Sequence, residues 1–195
     1  RHPTMEWLVA PFELAIMQRA LLGGILVGAL CAVVGTFVVL RGMAFIGDAL
    51  AHAAFPGVVV AYLLNANIHL GATIFALATA LGIGFVSRRA RTSDDTTIGI
   101  LFAGAFALGI LLMSTIQGYT ADLFSFLFGN ILGISTADLA VVGALAGLIV
   151  LAVALCYKEL LLASFDPVVA EAMGYPVQAL NYLLLALIAL TIVVS

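Results

Sequence analysis

Six long apolar segments dominate the sequence and limit what the chain can fold into. An α-helix needs about 20 apolar residues to cross the hydrocarbon core of a bilayer, which is about 30 Å thick. Six segments meet or approach that length, namely residues 20–40, 46–64, 70–86, 97–116, 139–157 and 177–195. Backbone groups in lipid must be hydrogen-bonded internally, which favours helices. We therefore predict an all-α, polytopic transmembrane helical bundle with about six spans.

The composition agrees with a membrane protein and excludes other classes. Hydrophobic residues make up 65% of the chain and charged residues 9%, whereas a soluble domain has about 45–50% and about 25%. A disordered chain has the opposite bias. The formal net charge of −3 leaves no basic surface for nucleic acid.

Three segments lie outside the predicted spans. Residues 1–4 precede Met5 and read as a cloning remnant, so residues 5–195 are expected to form a single transmembrane domain. Pro11 and two glutamates make residues 5–17 a poor span, and we expect this segment to lie in the membrane interface, anchored by Trp7. Residues 123–134 are too short to cross and are predicted to be re-entrant or interfacial.

The basic residues between the spans predict the orientation. They all fall in alternate loops, and they are Arg41, Arg88, Arg89, Arg91 and Lys158. The intervening loops, residues 65–69 and 117–138, contain no Lys or Arg. The positive-inside rule therefore places the first set of loops in the cytosol and the N-terminus outside. Ser93 and Asp94 are typical helix N-caps, so the fourth span should begin on the cytosolic side.

Pairs of glycines four residues apart recur in the spans. Gly24 with Gly28 and Gly143 with Gly147 are examples. Small residues at this spacing let two helices approach closely in lipid. We expect these pairs to pack within the bundle, and the alternative is that they form specific dimer faces.

Asp48 and His52 are the first feature that indicates function. A pair four residues apart lies on one face of a helix, and these are the only ionisable groups deep within an apolar run. Such groups cost about 2.5–3.5 kcal/mol to insert and are functional candidates. Imidazole with carboxylate suits divalent zinc, manganese or iron. Two ligands are few for a tight site, and a twofold dimer would bring four to one axis.

The pair also has a structural interpretation, and the residues that follow it are expected to distort the helix. Asp48 can also be a helix-start aspartate with a hydrogen-bonded His52 near the interface. Pro56 and Gly57, one turn further on, are expected to kink the helix and free backbone carbonyls beside the pair.

The second functional feature is the cytosolic loop at residues 158–176. Asp166 can cap a short helix, Pro167 suits its first position, and Gly174 suits the position after its end. The apolar side chains Val168, Val169, Ala172 and Met173 would then be available to a partner. The alternative is an ordinary solvent-side connector.

These residues together resemble a known family. The run from Arg41 to Gly57, with its Asp-x-x-x-His-x-x-x-Pro-Gly block, is similar to the signature of the membrane permeases of bacterial zinc/manganese/iron ABC importers. The resemblance continues through Thr97-Ile-Gly-Ile-Leu-Phe, Leu127-Phe-Gly129 and Ser164-Phe165-Asp166-Pro167, and it covers essentially the chain from residue 5.

The resemblance implies a multi-pass permease of the bacterial plasma (inner) membrane that imports a divalent zinc, manganese or iron ion. Two copies would enclose one pathway, a cytosolic ATP-binding subunit would drive it, and an extracytoplasmic metal-binding protein would deliver the ion. By the resemblance, Asp48 and His52 correspond to the metal-contacting pair. The helix that couples to the ATPase corresponds to Ser164, Phe165, Asp166, Pro167, Val168, Val169, Ala172, Met173 and Gly174. No permanently bound cofactor is expected.

The sequence departs from the family pattern in two places. Asn130 stands where the family usually has an aspartate, and the apolar run ends at Ser195 where family members continue into further spans. We therefore expect a chain truncated at its C-terminus. Asp122 and Asp138 on the outer side are either solvated charges or attractors of cations, and His69 is expected to be interfacial.

The function inferred from the sequence is transport without an ATPase of its own. No phosphate-binding loop with a Gly-Lys-Ser/Thr motif is present, so ATP hydrolysis would come from a partner. The alternative is a secondary carrier or channel for divalent cations that uses the same pair as a relay. An intramembrane hydrolase would need a second catalytic group in another span, and none occurs there.

Overall fold

The described part of the chain is a bundle of helices. The computed structural model describes residues 14–90, 92–116 and 135–195. The helices in these ranges are α1 (Ala15–Leu40), α2 (Ile46–Ala53), α3 (Phe55–Leu63), α4 (Ile68–Ala90), α5 (Asp94–Met113), α6 (Thr136–Leu155), α7 (Tyr157–Phe165), α8 (Pro167–Ala172) and α9 (Val177–Val194). Six helical segments are long and apolar enough to cross a membrane: α1, α2 with α3, α4, α5, α6 and α9. The predicted all-α bundle of about six spans is confirmed.

Some helices extend beyond the apolar runs that predicted them. The first spanning helix begins at Ala15, so the last residues of the predicted interfacial segment 5–17 belong to a span instead, and the prediction is wrong there. Helix α4 continues to Ala90 because Arg88 and Arg89 in its last turn favour the negative end of the helix dipole. The rest of segment 5–17 and all of segment 123–134 lie outside the described residues.

The second span is interrupted at Ala54, between α2 and α3. Pro56 lies in the first turn of α3 and has no N–H, so it cannot donate the bond that the His52 carbonyl would accept in a continuous helix. This span is the most deeply buried of the six. Helix α3 packs against α4 and α5, and α2 packs against α5 and α9, so the span lies at the centre of the described bundle.

Glycines permit the closest helix contacts, but at positions different from those predicted. A Cβ built on Gly57 of α3 overlaps the carbonyl oxygen of Gly71 of α4 and lies 2.6 Å from Phe75 Cβ. The predicted pairs at residues 24 with 28 and 143 with 147 have no described atom within 4 Å of an added Cβ. The prediction that these pairs pack within the bundle is therefore wrong for the part of the chain that the structure describes.

One end of the bundle carries Arg41, Arg88, Arg89 and Lys158, and we call it the basic end. Helices α1 and α4 end there and α5 begins there: Arg41, which follows α1, interacts with Asp94 of α5, and Ser87 of α4 donates to the same carboxylate. Arg41 also bonds to Ser164 near the end of α7. The Ser93 hydroxyl caps α5 by accepting from the Thr96 N–H at 3.3 Å, as the sequence predicted. The positive-inside rule predicts that the basic end faces the cytosol.

Candidate functional site

Asp48 and His52 are neighbours on α2. His52 Nδ1 lies 3.4 Å from Asp48 Oδ1 and 2.9 Å from the Asp48 carbonyl oxygen. A carbonyl oxygen only accepts hydrogen bonds, so Nδ1 is the donor in this contact, and a neutral ring would carry its proton there. The lone pair on Nε2 is then free to bind a metal ion.

Both side chains lie on a face of α2 that the described residues leave open. Asp48 is 71% exposed and His52 is 37% exposed, and an added Cβ on the adjacent Gly47 would meet no described atom within 4 Å. A carboxylate that faces lipid is costly, so a partner surface or an aqueous passage is the favoured environment for this face.

Aromatic rings of α5 hold the His52 imidazole from behind. The ring packs edge-on against Phe102 at 5.7 Å and Phe106 at 5.4 Å between centroids. Phe106 in turn contacts Phe55 of α3 at 6.2 Å. These contacts restrict the rotation of the imidazole and shield it on one side. The sequence analysis missed Phe102 and Phe106, because an apolar ring in an apolar span gives no sign of whether it faces lipid or a ligand.

The pair does not complete a metal site by itself. Among the described residues, no group of three or more His, Cys, Asp or Glu side chains is close enough to hold a metal ion. Transition-metal sites in proteins commonly use three or four protein ligands. A metal site built on this pair would need further ligands from outside the described residues, and the open face of α2 would give them access.

Of the other residues singled out in the sequence, Pro56, Gly57 and Asp138 shape or cap helices. Pro56 interrupts the span one turn beyond His52, and Gly57 forms the close contact with α4 described above. Asp138 caps α6, because it and Ser135 accept each other's backbone N–H groups at 3.0 Å and 3.1 Å. Asp122 and Asn130 lie outside the described residues.

Helix α8 at the basic end is defined by its own start and stop residues. Asp166 Oδ1 accepts from the N–H groups of Val168 at 3.1 Å and Val169 at 3.0 Å. At the other end, Gly174 has a left-handed φ of +85°. The N–H groups of Gly174 and Tyr175 donate to two carbonyls of the last turn at 3.0 Å each, which is a Schellman motif.

Helix α8 presents an apolar surface away from the bundle. Ala170 is buried against the bundle, whereas Phe165 is 78%, Val168 75% and Met173 64% exposed. Val169, Ala172 and Gly174 are exposed as well, whereas the predicted Ser164 is buried. An apolar patch beyond the end of the spans is typical of a protein-binding surface.

The sequence matches a known protein family over most of its length. The sequence profile of the ABC 3 transport family matches residues 13–195. The chain is 48% identical over 92% of its length to the manganese transport system membrane protein MntC of Halalkalibacterium halodurans. It is 40% identical over 95% of its length to the chelated iron transport system membrane protein YfeD of Yersinia pestis. It spans 61% and 62% of the lengths of these relatives.

A solved structure shares the fold. The chain superposes with a TM-score of 0.80 on a chain of PsaBC from Streptococcus pneumoniae, solved in complex with Fab, with 36% sequence identity. The match covers 98% of this chain and 69% of that chain.

Proposed function

Since the chain belongs to the ABC 3 transport family, we propose that it is the membrane permease of an ATP-driven importer for a divalent transition-metal ion. It is a multi-pass protein of the bacterial plasma membrane. The observation that carries the proposal is the Asp48–His52 pair on the open face of α2, with His52 Nε2 free and the ring supported by Phe102 and Phe106.

Two copies of the chain would complete the metal site. If the open α2 faces of two copies meet across a twofold axis, the axis receives two carboxylates and two imidazoles. Four such ligands suit a first-row divalent ion. On its own helix, each of the two side chains contacts the other. The ion would therefore be held from two separate helices and released when the two α2 faces move apart.

The ion is proposed to be manganese or iron, with zinc as the alternative. The names of the relatives above refer to manganese and to chelated iron, and the mixed oxygen and nitrogen donors of the pair accept all three ions. Uptake measured separately with manganese, iron and zinc ions distinguishes them.

The chain would depend on two protein partners. The apolar surface of α8, with Phe165, Val168 and Met173, is the proposed contact for a cytosolic ATP-binding subunit. An extracytoplasmic metal-binding protein is proposed to deliver the ion from the opposite end. ATP hydrolysis is assigned to the partner and not to this chain.

Replacement of both ligands tests the proposal. In the full-length permease, reconstituted with its ATP-binding subunit and binding protein, D48A with H52A should lower ATP-dependent Mn²⁺ uptake at least about 100-fold, because metal sites rarely tolerate loss of ligands. The D95N variant removes an exposed carboxylate at the start of α5 and should leave uptake at the wild-type level.

Two results would contradict the proposal. Undiminished uptake in the double variant would remove the pair from the pathway. Uptake that proceeds without ATP, driven by a proton gradient alone, would instead favour the secondary carrier or channel.

A further inference from the structure

Arg41 occupies a polar contact point at the basic end. It follows α1 directly, and its half-buried guanidinium donates from Nε to Ser164 Oγ at 3.1 Å. A second nitrogen, Nη1, donates to Asn181 Oδ1. A guanidinium can make both bonds at once because its donors lie in a planar fork.

The two acceptors flank α8 along the chain. Ser164 is near the end of α7, which leads into α8, and Asn181 is in α9, which follows α8. Ser164 is 8% exposed, so the contact is inside the bundle. Arg41 therefore bonds to both segments that flank α8. A displacement of α8 that moves either segment would change these bonds and the position of Arg41.

On its other side, Arg41 connects to the helix of the metal ligands through a tight turn. The N–H groups of Gly42 and Met43 donate to carbonyls of α1 at 3.0 Å and 3.1 Å, and Gly42 has a φ of +67°. Met43 and Ile46 are fully buried directly before and at the start of α2. A turn that is hydrogen-bonded and anchored by two buried side chains transmits displacement instead of absorbing it.

Arg41 also faces a charge on α5. Burial lowers the pKa of the Arg41 guanidinium and the carboxylate of Asp94 raises it, but arginine stays charged in proteins. Asp94 is the first residue of α5, and it accepts a hydrogen bond from Ser87 of α4. Helix α5 carries the aromatic rings behind His52, so Arg41 is coupled to both helices that shape the site.

We propose that Arg41 is a positioning residue that links movement of α8 to the helix carrying Asp48 and His52. The proposal rests on the proposed function. In this proposal, ATP hydrolysis by the partner at the basic end moves α8, and Arg41 passes that movement on to α2. Loss of the guanidinium should therefore separate hydrolysis from transport, whereas a residue that only stabilises the fold would lower both together.

The ratio of ATP hydrolysed to Mn²⁺ ions imported measures this link. The assay uses the full-length permease in proteoliposomes with its ATP-binding subunit and binding protein. With R41Q, we expect hydrolysis within about twofold of wild type and uptake about tenfold lower, so the ratio rises about tenfold, since a conformational step is impaired and not the chemistry. R41K keeps the charge but not the fork, and should give a smaller rise.

Two further variants make the result specific. S164A removes one acceptor and should raise the ratio severalfold, with little added effect in the R41Q background, because both variants break the same bond. R89Q removes an exposed arginine at the end of α4 and should keep the wild-type ratio. If R41Q fails to accumulate in the membrane, S164A decides.

An unchanged ratio in R41Q and S164A would overturn the inference, and so would equal losses of hydrolysis and uptake at equal amounts of assembled complex. Failure of the proposed function would give different results from failure of this inference. In that case the wild-type complex itself would import Mn²⁺ without ATP, or D48A with H52A would import it normally.

Discussion

The imidazole of His52 is fixed by one hydrogen bond and two ring contacts. The Asp48 carbonyl sets which nitrogen carries the proton, and the edge-on rings of Phe102 and Phe106 set the plane of the ring. Each aromatic contact contributes about 0.5–1.5 kcal/mol beyond burial. At the residue scale, the site therefore depends on side chains that do not themselves bind metal.

Replacement of one ring measures this dependence. Phe106→Leu keeps an apolar side chain but removes the ring edge, so the imidazole becomes freer to rotate. The concentration of Mn²⁺ at half-maximal uptake should rise about 2- to 10-fold, which corresponds to one aromatic contact, while the maximal rate changes less. Phe85→Leu, at an exposed position on α4, is the control and should match wild type. Equal values for Phe106→Leu and wild type would show that the ring does not orient His52.

The sequence was sufficient to single out Asp48 and His52 but not the residues that support them. Asp48 and His52 are conspicuous because ionisable groups are rare in apolar runs. Phe102 and Phe106 differ in no visible way from the chain's other phenylalanines until the fold shows which face of α5 meets α2. The same holds for Arg41, whose charge predicted orientation and whose buried contacts appear only in the folded chain.

Element boundaries follow local chemistry, and the contacts between elements do not. The start and stop of α8 were predictable from Asp166, Pro167 and Gly174 because caps and left-handed glycines act within a few residues. The glycines that pack closely were not, because the spans are apolar all round and show no buried face in the sequence. Gly57 packs against Gly71, whereas a Cβ added to Gly143 would meet no described atom within 4 Å.

This difference predicts unequal effects of two identical substitutions. Gly57→Ala forces a methyl group onto the Gly71 carbonyl of α4, so the helices must separate, and overpacking of this kind costs about 1–3 kcal/mol. The melting temperature of the detergent-purified protein should fall by several degrees, since about 1 kcal/mol shifts a domain of this size by about 2–4 °C.

Gly143→Ala provides the matched comparison. It adds the same methyl group to a helix where no described atom lies within 4 Å of the added Cβ. Its melting temperature should equal that of wild type or rise slightly, because alanine has the higher helix propensity. A similar loss of stability in both variants would contradict the close contact between α3 and α4.

At the scale of the whole molecule, hydropathy predicted six spans because the bilayer imposes length and apolarity on every crossing helix. It did not predict their arrangement around the broken second span, which depends on side-chain shape. The open face of α2 is the main feature that this arrangement leaves unexplained within one copy. A carboxylate, a histidine and several small residues lie there in an otherwise apolar bundle.

A second copy of the chain on this face is testable by cross-linking. Ala51 is exposed on α2 between the two metal ligands, so in the proposed dimer it lies near the twofold axis and close to its own counterpart. In a full-length permease with Cys31 and Cys156 replaced by serine, A51C should form a covalent dimer with a short bifunctional thiol reagent. Cysteines must approach within about 7 Å between Cα atoms for a direct disulfide, and a short linker extends that reach slightly.

A second cysteine position tests whether the cross-link is specific to the open face of α2. L151C is exposed on α6, which packs against α1 and not against α2, so it should remain monomeric under the same conditions. Added Mn²⁺ should slow the reaction of A51C, because an ion held by both pairs restricts access of the reagent to the thiols between them. A dimer formed by L151C but not by A51C would place the contact between copies on another surface, and the two Asp48–His52 pairs would then be unable to share one ion.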